Sequence, residues 1–546
     1  MRSRRGFLII VLVLACGAIL GGQFFQITLQ GSAPDDSASD PSITRFSQAL
    51  KLIDDHYVDA PDKSRLTRNA VLGALHSLDP HSGFFDRREF SEMQDEQSSK
   101  FYGVGVTINQ RNGRIYVLGT TRGMPGERAG LQYGDAIVAI NGNSTRGWSQ
   151  HDAQKVVRGD RGTAVELTVE RLGSPEPLTL HVIRDEVPFP SVRNSYILRP
   201  GIGYIGLTGG FNQTTSEELR DALANLKVQG IKSLVLDLRR NPGGIFRQAV
   251  EVAEEFLPRE VDIVTVASRE AQSQKQVYRS ENDEPQSMPL VVLINGETAS
   301  ASEIVAGAIQ DRDRGLIVGE ASFGKGLVQT VFRLPGGTGL TLTTGKYYTP
   351  SGRSIQRAYA GVSFYDYFYA RYHTPVGQDT QRARSAETVY TPTGRRLSGG
   401  GGIEPDIAVR AQEENVPLRD ACFEFVRRLV AGAIDGLEQY RVARLEHGHE
   451  LRATDLPVNE SVMQGFRSFL RERPDLRIAE SQVSENIDYI RRRLRTEMIT
   501  ASYGTEVAEQ FLMESDVQAL RAIEALPQAK HLTDLAHLFA PPPTTH

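Results

Sequence analysis

Val291-Val-Leu-Ile-Asn-Gly-Glu-Thr-Ala-Ser300-Ala-Ser-Glu-Ile-Val-Ala-Gly-Ala-Ile-Gln310 is the stretch whose reading decides the rest of this chain. Its unbroken apolar start, Val291 to Ile294, predicts a buried strand; the small polar residues that follow predict a turn, and Glu303 to Gln310 a helix. A serine on such a strand-to-helix turn projects its hydroxyl while the next backbone N–H points into the same space. A nucleophile beside an oxyanion hole needs that geometry. Further on, Phe323-Gly-Lys-Gly326 holds a lysine between two glycines. Taken singly, each has a plainer reading. Ser300 with Glu303 fits a capping box, in which the hydroxyl only satisfies a helix N–H, and Lys325 fits a solvated loop charge. Together they imply serine-lysine hydrolysis of peptides.

A chain of 546 residues exceeds what one hydrophobic core holds, so several domains are expected. The net charge of -5, without a basic patch interleaved with aromatics and without a Walker-type glycine loop, argues against nucleic acid or nucleotide. Cys16 and Cys422 are the only cysteines, too few for a disulfide framework. No His/Cys group has metal-ligand spacing, so neither metal nor cofactor is expected; His447 and His449 read as solvated residues of a polar helix. Arg2, Arg4 and Arg5 precede an apolar run from Phe7 to Leu20 that continues to Phe25. That order is the pattern of a secretory signal or a single anchor with its basic end in the cytoplasm. Residues 1–30 are therefore expected to export the chain or anchor it in the inner membrane, with the bulk in the cell envelope on the periplasmic or extracytoplasmic side. Residues 31–41 read as a linker.

Downstream, residues 42–97 show helical spacing at Phe46, Leu50, Ile53 and Tyr57 and again at Leu66, Val71, Leu75 and Leu78. Asp79-Pro-His-Ser82 ends the second helix, and the region reads as a cap or dimerisation arm without chemistry. Residues 101–185 form a β-rich module, with a hairpin at Asn112-Gly113, a short helix through Ala153 and Val157, and a strand from Ala164 to Arg171. From Tyr196 the pattern is α/β: strand Ile202 to Leu207, helix Ser216 to Val228, strand Ser233 to Leu238. Arg239-Arg-Asn-Pro-Gly-Gly244 then turns the chain into a helix from Phe246 to Phe256. Its paired glycines allow close approach of backbone N–H groups to a ligand, or simply make a turn. Gly339 to Thr344 and Lys346 to Gln356 are expected to continue the sheet beyond the lysine. Residues 357–400 read as an insertion. Residues 416–540 read as helical, broken at Pro457 and Pro474, with no catalytic signature.

The β-rich module resembles a PDZ domain through Gly126-Glu-Arg-Ala-Gly-Leu-Gln-Tyr-Gly-Asp-Ala-Ile-Val-Ala-Ile-Asn-Gly142 and Arg158-Gly-Asp-Arg-Gly-Thr163. Such domains take a chain end as an added strand, and loop N–H groups hold its carboxylate. The order of helices, PDZ-like module, Asn-Pro-Gly-Gly turn, Ser300 helix, Lys325 segment and Tyr347-Tyr-Thr-Pro-Ser-Gly-Arg-Ser-Ile-Gln356 resembles the carboxy-terminal processing, or tail-specific, proteases. The resemblance runs from Phe46 to Val409, apart from residues 357–400. It implies Ser300 as nucleophile, Lys325 as base and Gln329 as the residue that positions the lysine. It places oxyanion donors on the backbone of Gly244 and Ala301, and substrate contacts at Tyr102, Gly103, Val104, Gly105 and Val106. The implied fold class is multidomain α+β: N-terminal helices, a PDZ-like module at 101–185, an α/β crotonase-like protease core at 186–410 and a helical C-terminal region. Implied partners are protein or peptide substrates with exposed C-termini, and further copies of the chain through its helical ends.

Physical chemistry sets conditions on that assignment. A lysine works as a base near neutrality only when burial disfavours its charged form, and Phe323 and Leu327 are placed to wall it off. In an extended strand Gln329 would stand roughly 13 Å from Lys325, so the segment must curl. Ser302 is expected to point away from the turn, and Asp237, in an apolar strand, to be structural. The expected function is an anchored, exported serine endopeptidase acting near C-terminal tails. A catalytically silent PDZ scaffold is the alternative, and an acyl-transfer or hydratase enzyme on a related core leaves the PDZ-like module unexplained. A short connection from Asp185 to Tyr196 suggests that the module gates the site. Arg158 and Arg161 read either as charged contacts across that junction or as solvated loop charges.

Overall fold

The computed structural model describes residues 40–269, 275–369 and 385–539. The apolar N-terminal run and nearly all of the expected linker lie outside them. Among the described residues no helix is long and apolar enough to cross a membrane.

At the centre is a sheet in the order Val192–Arg199, Ile202–Leu207, Ser233–Asp237, Leu290–Ile294, Leu316–Gly319, Ile407–Ala408. Its first pair is antiparallel and the remaining pairs are parallel. Alternate side chains of a strand face opposite sides, and Leu290–Ile294 uses both. Leu290, Val292 and Ile294 join the core under the helices Thr215–Val228, Phe246–Glu254 and Ala301–Asp311. Val291 and Leu293 face the other way, onto Ala519, Ala522, Ala525 and Ala529 of the helix Val517–Phe539. This double cover explains the continuous apolar run. It also makes the far C-terminus a structural part of the core.

The strands beyond the lysine do not continue this sheet, contrary to the sequence expectation. Leu327–Arg333 and Gly339–Tyr348 pair antiparallel in a second sheet with Asp262–Ser268, Gln276–Arg279 and Gly83–Phe85. The short Pro335-Gly-Gly connection makes these two strands an antiparallel hairpin, since a parallel return needs a crossover of about a dozen residues.

The β-rich module has the strand order Val106–Arg111, Arg114–Thr120, Ala136–Ile140, Ala164–Glu170, Leu178–Ile183. Asn112 and Gly113 both take positive φ, as a primed hairpin turn requires. Ser149 and Asp152 cap the helix Gln150–Val157 reciprocally. The module is held by more than its exit segment, because the strands Lys100–Gly103 and Asp185–Pro188 pair into a ribbon.

The N-terminal helices are Pro41–His56, Lys63–His76 and Arg87–Gln97. The first buries no residue, and Phe46 is 52% exposed. The C-terminal region is less helical than its sequence suggested. Between Val416–Val430 and Glu460–Glu472 the chain makes no α-helix, because Gly432, Gly436 and Gly448 turn at positive φ and Pro457 removes a donor. His447 and His449 are therefore not helical or freely solvated. His447 Nε2 lies 2.5 Å from Glu127 of the β-rich module, and the His449 ring stacks on Tyr503.

Candidate active site

Ser300 sits between Leu290–Ile294 and Ala301–Asp311 with φ 55° and ψ -117°. A serine in this region of backbone space is strained, so its surroundings must hold it there. Glu303 does so in the reverse of the expected cap. The Ser300 N–H donates to Glu303 Oε2 at 2.8 Å, while the Glu303 N–H is bonded to the Ser300 carbonyl. Glu303 Oε2 also accepts from the Lys325 N–H at 2.9 Å, and Oε1 accepts from Ser322 Oγ at 2.5 Å and the Gly324 N–H at 2.7 Å. Burial raises this carboxyl above its ordinary pKa, and the four donors pull it back. On the other side, the Tyr347 hydroxyl is shared between the carbonyl oxygens of Ser300, at 3.0 Å, and Lys325. Serine and lysine are thus clamped to each other through their backbones.

The Lys325 side chain is 1% exposed and its Nζ donates to Gln329 Oε1 at 2.8 Å. The curl needed for that contact comes from a bulge between Val328 and Gln329, with Lys325 itself lying just before the strand that begins at Leu327. Burial lowers the amine to a pKa of about 7, against the opposing charges of Asp79 and Glu303. Phe323, two residues before the lysine, is buried among groups the sequence did not point to. His81, Tyr367 and Phe368 pack their rings around Phe323. The Arg357 guanidinium lies 4.4 Å from the Phe323 ring centre. Part of the 357–400 segment read as an insertion therefore covers the site.

Asn241-Pro-Gly-Gly244 is bolted to the serine turn. The Asn241 carbonyl accepts from the Ala299 N–H at 3.0 Å and from Ser302 Oγ at 3.1 Å, which directs Ser302 away from the turn's open side. Gly243 approaches so closely that a β-carbon on it would lie 2.8 Å from Ser300 Cβ and 2.9 Å from the Ala301 nitrogen. The amides of Gly244 and Ala301 carry no hydrogen bond among the described residues. Asp237 binds Tyr204 and Arg239. Among the described residues no group of three His, Cys, Asp or Glu is placed to hold a metal ion.

The five expected substrate contacts divide. Tyr102 and Gly103 belong to the ribbon and pair with Glu186 and Asp185. Val104 and Gly105 form the loop after it: the Val104 carbonyl accepts from the Gly126 N–H at 2.7 Å, and Gly105 has φ +67° with Met124 against it. Val106 opens the edge strand of the module, beside the helix Gln150–Val157.

Comparison with known proteins follows the same division. The peptidase family S41 profile matches residues 201–363, and a PDZ profile matches residues 117–171. The carboxy-terminal-processing protease of Bartonella bacilliformis is 35% identical over 349 residues, spanning 63% of this chain and 80% of that protein. The chain belongs to the carboxy-terminal processing proteases. Within this family, the carboxy-terminal processing protease CtpA of Bacillus subtilis is 33% identical over 322 residues, 59% of this chain and 68% of that protein. Among solved structures, the photosystem II D1 C-terminal processing protease is 28% identical over 68% of this chain and 94% of that one, with a TM-score of 0.37. This processing protease is accordingly a serine peptidase with a PDZ domain, and Gly244, Ser300, Ala301, Lys325 and Gln329 all fall inside the S41 match.

His81, Tyr347 and Tyr367 escaped sequence reasoning, and Glu303 was read only as the partner of Ser300 in a helix cap. Glu303 alone had a local signal, its place three residues after Ser300. Tyr347 and His81 meet the site across 47 and 248 positions of chain, a separation that no local pattern encodes.

Proposed function

We propose that this protease cleaves exported proteins near their C-terminal tails, with Ser300 as nucleophile and Lys325 as its base. The observation that carries the reading is a buried amine with a pKa of about 7 whose backbone is clamped to that of Ser300. The neutral amine takes the Ser300 proton as Oγ attacks the scissile carbonyl, then returns it to the leaving amine. The Gly244 and Ala301 amides, having no other partner among the described residues, receive the developing oxyanion. Gln329 fixes one N–H of the lysine. The PDZ domain takes the tail as a strand added beside Val106–Arg111, with the Val104–Gly105 loop at its carboxylate. Residues 1–30 deliver the enzyme to the extracytoplasmic side and hold it there.

Ser300 is 2% exposed, and the space beside it, lined by Phe246, Ile304, Leu327 and Tyr347 among others, has no room for a water. The test is a peptide library bearing free or amidated C-termini, incubated with the enzyme and read by mass spectrometry. Internal cleavage of free-ended members, lost in Ser300→Ala, is expected. Binding without cleavage by the parent protein would mark it as a silent PDZ scaffold.

A further inference from the structure

We propose that His81 is a positioning residue for this reaction, fixing Gln329 with its backbone carbonyl while Tyr367 locks its ring; this rests on Lys325 being the base. A carboxamide presents either its oxygen or its NH2 to a neighbour, and only the oxygen accepts from an amine. Gln329 Nε2 donates to the His81 carbonyl at 2.5 Å. A carbonyl can only accept, so this contact selects the orientation that turns Oε1 toward Lys325 Nζ. Without it the side chain can flip and set its NH2 against the amine.

His81 is held at both ends. Its N–H donates to Asp79 Oδ1 at 2.7 Å, and Asp79 also takes the Ser82 N–H and hydroxyl, each at 2.8 Å. Its Nε2 lies 2.9 Å from the Tyr367 hydroxyl, which also accepts from Gln356 Nε2 at 3.2 Å. The ring stands edge-on to Tyr367 and Phe368, 5.4 and 5.7 Å between centres. Charged and titratable groups around the pair are Asp79 on its own turn, Glu303 and Lys325 from the serine-lysine clamp, Arg357 and Tyr367 from the covering segment, and Tyr347 from the second sheet. Burial, then Lys325 and Arg357, hold the imidazole well below its usual pKa, so it is neutral and supplies no proton of its own. The N-terminal turn and the covering segment thus meet over the base, and each keeps water from it.

Loosening this contact admits water, restores solvation to the ammonium and raises its pKa. The experiment uses the full chain as His81→Phe and Tyr367→Phe, measuring peptide kcat and KM and Ser300 acylation by a fluorophosphonate from pH 5 to 10. Expected are an acid limb moved up by about one pH unit, hence about tenfold lower kcat below pH 7, recovery at pH 9 and unchanged KM. Parental profiles in both variants overturn the proposal, as does a loss that high pH does not restore. Should His81→Phe fail to fold, Tyr367→Phe decides, since it removes one hydroxyl. Lys325→Ala separates the two readings: if it retains the parental profile the base assignment itself falls. If it is inactive while the two variants behave as the parent, only the positioning role falls.

Discussion

Lys325 makes the folded protein less stable in order to be useful. Its folded-state pKa of about 7 lies below the ordinary 10.5, so the unfolded chain binds the extra proton. Stability contributed by this residue therefore rises with pH between about 7 and 10.5, and below that window the full deficit is on the order of 5 kcal/mol. Lys325→Met keeps the volume and removes the charge. It is expected to melt higher than the parent at pH 6, with the gap narrowing toward pH 10; a lower melting point throughout would show that the lysine is not held neutral. Lys325→Arg is expected to abolish peptide turnover at every accessible pH, because a guanidinium stays protonated. The lysine itself was legible from two flanking glycines and a phenylalanine. Its partner's geometry was legible only as a requirement, that the chain curl, and the bulge at Val328 meets it.

At the scale of elements, the reaction centre is two turns pressed together. The Asn-Pro-Gly-Gly turn has no spare room against Ser300, so Gly243→Ala places a β-carbon within 3 Å of three atoms while forcing alanine to φ +95°. Loss of activity and of about 2 kcal/mol or more in denaturant unfolding is expected. Glu303→Ala strands buried donors from Ser300, Ser322, Gly324 and Lys325. It is expected to destabilise by roughly 3 kcal/mol or more and to leave Ser300 unlabelled by a fluorophosphonate. The strand-turn-helix around Ser300 could be read in advance because a strand buried on both faces leaves an unbroken apolar run. The second sheet could not: Gln276–Arg279 is largely exposed, and Asp262–Ser268 is partly buried, mixed in pattern and paired through Thr265 to Ser268 with Gly345 to Tyr348 far along the chain. The Asp79-Pro-His-Ser82 turn looked like a helix end because its role lies in what comes to meet it.

Across the whole molecule, the C-terminal region ties the PDZ domain to the catalytic unit. Phe423 packs on Tyr116 and Tyr133 of the PDZ domain, Arg111 meets Asp420 at 3.3 Å, and the Tyr133 hydroxyl donates to Glu497 at 2.8 Å. Farther along, Arg239 beside the catalytic turn binds Asp516 at 2.9 Å. By contrast, Arg158 meets Glu96 of an N-terminal helix and Arg161 meets Asp185, so neither reaches the catalytic core directly. Asp420→Ala leaves Arg111 buried without its carboxylate and is expected to cost about 3 kcal/mol. Because the C-terminal region links the PDZ domain to the catalytic unit, weakening this junction is also expected to change kcat on short untailed peptides. An unchanged kcat beside a lowered melting point would reduce the domain to a tether.

The most direct measurement is the pH dependence of Ser300 acylation by a fluorophosphonate, followed by intact mass and peptide mapping in the parent and in Lys325→Ala. Expected is a single adduct on Ser300 that forms half-maximally near pH 7, where the lysine loses its proton, and that is lost in the variant. An adduct on another residue, or labelling of Ser300 at the same rate without Lys325, would contradict a serine-lysine mechanism.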